Sequence, residues 1–263
     1  MVHFEEDYYN FPITLLAGIL DNPDGVLRDI LAWATYDYIK RKQGENKNGS
    51  KVLNGAMGYT KIELAIENMG YPQERRNYTQ GQLEWWYRHC GEVYATYKGA
   101  RSGIHRNKYW ELREWFSSRP EYSMPYPYDW NTERVLWLAF LAAKSIVGNK
   151  RYCKTNDLML FARMNGRSKD FANEADLKAN SHPLIANYFT RRKKGTIRKR
   201  LADEFHVNTH SNHDRGYYVS TRLSLEKLIE AVESKRHSTN KSYNAKMRET
   251  TDRVLVRLGK KPP

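Results

Sequence analysis

Two cysteines in 263 residues are too few for a disulfide framework. Cys90 and Cys153 lie far apart and form no Cys-x-x-Cys pair, which leaves a cysteine-based zinc site without its ligands and makes both read as buried thiols of a reducing cytoplasm. Long apolar runs are also missing: no stretch approaches the roughly 20 residues needed to cross a bilayer. The acidic opening Glu5, Glu6, Asp7 lacks the basic start of a secretory signal, so the chain is expected to stay in the cytoplasm with no membrane partner. Catalytic signatures are lacking as well. There is no Gly-x-x-x-x-Gly-Lys-[Ser/Thr] loop, no Gly-x-Gly-x-x-Gly, no Gly-x-Ser-x-Gly and no His-hydrophobe-His pair, so no catalytic residue and no cofactor are assigned. His206, His210 and His213 cluster in sequence, but without cysteine partners, a His-Glu-x-x-His spacing or a nearby carboxylate set they read as hydrogen-bonding histidines rather than a metal site.

Aromatic residues, by contrast, are plentiful. Nineteen Tyr and seven Trp within a 40% hydrophobic composition supply enough apolar surface for packed cores. The formal charge of +14 favours an anionic partner, and its distribution narrows the choice of region. Residues 1–130 hold 16 Lys+Arg against 17 Asp+Glu, whereas residues 131–263 hold 28 against 13. The whole excess therefore sits in the second half, as expected of a dedicated polyanion-binding unit.

Pro120, Pro125 and Pro127 each remove a backbone donor and bias the preceding residue away from helix, so the chain around them reads as an extended connector. This divides the molecule into residues 1–122, a linker at 123–130, a second unit at 131–234 and a basic tail at 235–263. The two halves repeat a common order of elements. Helical spacing of Leu27, Ile30, Leu31, Ala34 and Tyr38 predicts a helix over residues 26–42, and Val135, Leu138, Ala139, Ala142 and Ile146 predict one over 132–147 ended by Gly148. Shorter amphipathic segments follow at 60–69 and 155–164, the latter capped by Thr155 or Asn156. Third helices are expected at about 79–89 and 183–205, the latter open to interruption at Gly195.

A β-ribbon is expected next in each half: residues 205–210 and 216–220 around a turn in the second, and 93–97 and 108–112 around 99–103 in the first. Three helices and a ribbon make the order of a winged helix. The expected fold is mainly α with small β-ribbons (α+β), arranged as two tandem winged-helix domains. A short helix at 224–234 completes the second, and Val254, Leu255 and Leu258 offer a last helical turn in the tail.

Seven of the ten residues from 191 to 200 are basic: Arg191, Arg192, Lys193, Lys194, Arg198, Lys199 and Arg200. Phosphates need such density, because each neutralised phosphate releases condensed counterions. Ile197, Leu201 and Phe205 recur every fourth residue and would face a core, leaving Arg198 and Lys199 outward with Lys194 and Thr196 near the helix start. The plain alternative is a solvated charged face. His210, Asn212 and Arg215 on the following ribbon tip are placed to reach phosphate or the minor groove, or else form an ordinary exposed turn. In the first half Lys98, Arg101, Arg106 and Lys108 bracket the other expected wing, beside Trp85, Trp86, Tyr87 and Tyr94. Those rings can stack on bases or fill a core, and the near-neutral charge of this half suits protein contacts such as a homodimer.

Phe11-Pro12-Ile13-Thr14-Leu15-Leu16 followed by the helix from Val26 resembles the opening of plasmid and phage replication initiators. Val135 to Gly148, Lys150-Arg151-Tyr152-Cys153-Lys154-Thr155-Asn156, the basic helix and Arg215-Gly216-Tyr217-Tyr218-Val219-Ser220 resemble the winged-helix units of the same group. The resemblance implies two tandem winged helices, monomer and dimer forms, binding to repeated sites in double-stranded DNA and, in some members, repression of the protein's own promoter. The long loops at 43–56 and 166–182 and the unbalanced charge depart from it and argue against symmetric use of both wings. On this reading the chain is a sequence-specific DNA-binding protein of a mobile element or phage, an initiator or a transcriptional regulator. The rival is a phage structural or interaction protein whose basic surface docks an acidic partner or packaged genome.

Overall fold

A computed structural model of the chain describes residues 8–45, 80–116, 130–211 and 216–257. The described part is mainly helical, with two small antiparallel sheets.

Strand β1 (Tyr8–Pro12) opens the first half and runs antiparallel to β2 (Arg101–His105), with Tyr9 opposite Ile104 and Phe11 opposite Ser102. Between them stand a 3-10 turn (Ile13–Leu16), α1 (Pro23–Glu45) and α2 (Gln80–Thr96). Pro23 at the first helical position and Asn22, whose Oδ1 accepts from Gly25 N at 3.2 Å, set the start of α1. Helix α3 (Arg106–Phe116) follows β2 directly.

The ribbon expected in the first half is absent from these residues. Residues 93–96 belong to α2 and 108–112 to α3, while 101–105 pair with β1 instead of with a hairpin neighbour. The apolar spacing decides this. Trp86, Cys90 and Val93 are buried at intervals of four and three, as are Tyr109, Leu112 and Phe116 at three and four, so a strand would turn half of each set out to water. The helix expected at 60–69 and the connector at 123–129 lie outside the described residues.

The second half is built around α4 (Trp130–Val147), buried on nearly every side. After the left-handed Gly148 (φ 53°) come β3 (Cys153–Thr155) and α5 (Asp157–Met164), whose start is capped by Asn156 accepting from Met159 N at 2.8 Å. Two short helices, α6 (Glu174–Asn180) and α7 (Pro183–Ala186), lead to α8 (Arg191–Phe205). The expected helix over 183–205 is therefore broken, at residues 187–190 and not at Gly195. Thr190 restarts the chain as an N-cap, and Gly195 costs an exposed helix only about 1 kcal/mol. Strands β4 (Asn208–His210) and β5 (Tyr217–Ser220) complete an antiparallel sheet of order β3-β5-β4. The last helix, α9 (Leu225–Arg257), is much longer than the segment expected at 224–234, and takes in most of the residues expected to be a tail.

Residues assigned in sequence to different units share one continuous core. Tyr9, Phe11, Ile13, Leu16, Ile104 and Tyr109 from the first half and Val135, Leu138, Leu141, Phe161, Ile197 and Leu201 from the second belong to the same buried cluster. Polar contacts cross it: Ser102 Oγ donates to the Leu141 carbonyl at 2.7 Å, and Arg134 Nε donates to the Trp115 carbonyl at 2.9 Å. Gly166 (φ 71°) closes the junction, since a Cβ there would stand 2.4 Å from Ala17 N. Replacing Gly166 with Ala combines left-handed strain with backbone collision and is expected to cost about 2–4 kcal/mol. The urea midpoint should fall in one transition with m unchanged, because both halves lose the same core; two separate transitions would contradict the shared core.

Candidate nucleic-acid interface

The inward face of the basic helix α8 is made by two aliphatics and a ring. Ile197 and Leu201 are buried, and Phe205 stacks on Phe140 with centroids 4.6 Å apart and meets Trp137 edge-on at 4.8 Å. With that face inward, helical periodicity turns Arg191, Arg192, Gly195, Thr196 and Lys199 outward, and all five are exposed. Thr190 Oγ1 accepts from Lys193 N at the helix start, where the unsatisfied backbone N–H groups add to the positive potential.

The remaining cations of the run are half-buried and paired with other side chains of the protein. Asp157, at the start of α5, receives Lys194 Nζ at 2.8 Å and pairs with Arg198, whose guanidinium also lies 4.3 Å from the centre of the Tyr217 ring. Arg200 donates Nη1 and Nη2 to the two carboxylate oxygens of Glu133 at 2.6 and 3.0 Å and makes a second pair of bonds to Glu204. These bonds hold the Arg200 guanidinium above its ordinary range, led by the one from Glu133. Lys193 Nζ donates to Asn187 Oδ1 at 3.0 Å and covers the Tyr188 ring. The sequence locates the helix and its inward face; Arg198, expected outward, and Lys194, expected near the helix start, are both half-buried and paired with Asp157. Their pairing with Asp157, 37 and 41 positions earlier in the chain, requires α5 and α8 both to pack on α4 and has no local signature.

Beside the outward face, a shallow cleft of about 320 Å³ opens between α4, α7 and α8, lined by Asn131, Thr132, Asn187, Tyr188, Arg192 and Thr196 among others. Thr132 and Tyr188 share a 2.6 Å hydroxyl hydrogen bond at its wall. On the ribbon, His210 sits half-buried on β4, while Asn212 and Arg215 lie outside the described residues. A Cβ on Gly216 would meet the Thr155 carbonyl at 2.3 Å, so the ribbon passes close to the β3 end at a position only glycine fills. Lys150, Arg151, Lys154 and Arg222 are exposed around the same sheet, and Arg222 donates to the Asn149 carbonyl at 3.1 Å. Three of them stand in the basic stretch after Gly148.

The four first-half candidates do not surround a wing. Lys98 is exposed on the turn before β2; Arg101 pairs with the buried Asp37 at 3.4 Å and covers Trp33; Arg106 is half-buried at the start of α3. Lys108 pairs with Glu111 at 2.6 Å and lies 5.8 Å from the centres of Trp137 and Phe205, so it serves the junction between halves. Among the rings, Trp86 is buried, Tyr94 stacks on Trp33, and Trp85 is exposed and stacked on His89, which contacts Asp29 at 3.0 Å. Burial pushes the Cys90 thiol up to about 12, which leaves it protonated and unreactive near neutrality.

No protein-family model, no curated protein and no solved structure matches the chain.

The two Arg200 partners differ in burial, and so should their removal. The Glu133 side chain is only 7% exposed against 42% for Glu204. Glu133→Ala removes the more buried partner, leaves Arg200 to Glu204 alone and is expected to cost about 2 kcal/mol in chemical unfolding, whereas Glu204→Ala should cost under about 1. Equal losses would show that the buried pair does not set α8.

Proposed function

We propose that residues 130–220 form a winged-helix unit that binds double-stranded DNA, with α8 as its groove helix and the β4-β5 ribbon as its wing. One observation carries this reading: the succession α4, β3, α5, α8, β4, β5, with sheet order β3-β5-β4, leaves the face of α8 bearing Arg191, Arg192, Thr196 and Lys199 outward. Helices α6 and α7 are an insertion ahead of α8 in that plan. The helix enters the groove by its N-terminal half. Cations lie there, while Asp203 and Glu204 mark the far end, where phosphate would be repelled.

In this scheme Arg191, Arg192 and Lys199 neutralise phosphates, and Thr196, with Gly195 beside it, allows close approach to base edges. Lys194, Arg198 and Arg200 act indirectly by holding the helix. The first half serves assembly, with the exposed Trp85 on α2 as its contact, and the protein acts as a replication initiator or transcriptional regulator of a mobile element or phage. It performs no catalysis of its own.

Salt dependence tests the assignment. Replacing Arg191, Arg192 and Lys199 together with Ala should flatten the slope of log affinity against log salt by roughly 2.7, from about 0.9 per phosphate. Replacing Lys194 and Arg198 instead should lower stability and leave the slope nearly unchanged in the folded protein. The reverse pattern would overturn the assignment. Selecting bound fragments from a random pool checks the functional class: a regulator or initiator prefers its site over random DNA by at least about 10³, and the absence of such preference would support a structural polycation.

A further inference from the structure

Helix α9 begins as part of the body and ends outside it. Leu228 and Val232 are buried against the outer face of the β3-β5-β4 sheet, beside Tyr152 and Tyr218. Past that anchor every described side chain from Glu233 to Arg257 is exposed. At 1.5 Å per residue, the portion from Lys235 to Arg257 extends for about 34 Å.

Its composition is one-sided. Residues 235–257 contain seven Lys+Arg and two Asp+Glu. The placement of these charges follows the anchor. With 3.6 residues per turn, Lys235, Lys246 and Arg253 fall about two, five and seven turns after Leu228, and Arg257 about seven turns after Val232. The face that is apolar where the sheet covers it thus continues as a row of cations where the sheet ends. Arg253 is held along the row by Glu249 at 2.5 Å. Between these cations the same face carries Ser242 and Thr250, with Glu249 at its edge.

This pattern selects the partner. A second copy of α9 needs an apolar seam, yet continuing the heptad spacing of Leu225, Leu228 and Val232 gives Lys235, Thr239, Ser242, Lys246, Glu249 and Arg253. Two such helices side by side would also set like charges against each other along their length. Among the described side chains of this portion, the exposed apolar ones are Tyr243 and Met247, which lie at the margin of the row and form too small an area for a stable dimer. A regular polyanion meets none of these objections.

Resting on the reading of α8 above, we infer that α9 from Lys235 to Arg257 is a second DNA contact, an arm that lies along the phosphate backbone flanking the winged unit and extends its footprint by about ten base pairs. Contacts of this kind carry no base information, so the arm raises affinity and salt dependence without narrowing the sequence read by α8.

The experiment compares full-length chains on a short duplex of about 14 base pairs, which holds the winged unit alone, and on one of about 30. Lys246, Arg253 and Arg257 are replaced together by Ala, with circular dichroism confirming that helix content is retained. On the long duplex the salt slope should flatten by roughly 2.7, and on the short one by less than about 0.5. An unchanged slope on the long duplex, with the Arg191, Arg192 and Lys199 variant still flattening it, would overturn the arm and leave α8 in place. A slope moved by the arm variant but not by the α8 variant would leave the arm and remove the groove helix. If sedimentation shows that the arm variant turns a DNA-free dimer into monomer, α9 is a self-association element and the inference fails.

Discussion

The setting of α8 rests on a buried carboxylate. Glu133 stands in the first turn of α4, the most enclosed of the described helices, and would be costly there alone. Arg200 answers it with two hydrogen bonds, and the pair joins the polar flank of α8 to the centre of the core. Asp157 does the same from the other side through Lys194 and Arg198. Between these clamps Ile197 and Leu201 supply burial, which draws the helix down but does not by itself choose among nearby rotations. The directional bonds of two carboxylates do choose, and so decide which cations of a seven-fold basic run face solvent.

The same core fixes the first half relative to the second. Strand β2 lies on α4, and the Ser102 hydroxyl satisfies a carbonyl of that helix deep within the core. Lys108 from α3 reaches the aromatic cluster that ends α8. A proposed groove helix and the half proposed for assembly are thereby parts of one packed body, and a force or a partner acting on either is transmitted through side chains in contact. At the sheet's outer face the packing is much thinner. Three buried residues, Leu223, Leu228 and Val232, tether α9 before it leaves the body.

How much of this was readable beforehand depended on the range of the interactions. Helix α4 was legible because its apolar residues repeat at helical spacing and Gly148 ends it; α5 was legible with its Asn156 cap, and the β4-β5 ribbon with its turn. The first-half ribbon was misread because Val93 to Tyr97 has strand-like letters, while the partners that make it helical, Trp86 and Cys90, lie upstream. Strand β2 was read as a turn because its partner β1 is about ninety residues earlier. Pairing at that separation leaves no local mark. The length of α9 was missed for the opposite reason: its distal half has helix-forming residues but no buried stripe, and periodicity was the signal being read.

Net charge, its concentration in the second half, the amphipathic phase of the basic run, helices α4 and α5 and the β4-β5 ribbon were determined by the sequence alone, because each depends on residues within a few turns of one another. Tertiary structure decided the rest: that Lys194, Arg198 and Arg200 pair with carboxylates, that Arg191, Arg192 and Lys199 are exposed, and that both halves share a core. The physical reason is common to all three. Whether a cation is spent on a carboxylate or left for a ligand depends on which distant acid the packing brings within about 3 Å, and that distance exists only once the chain has folded.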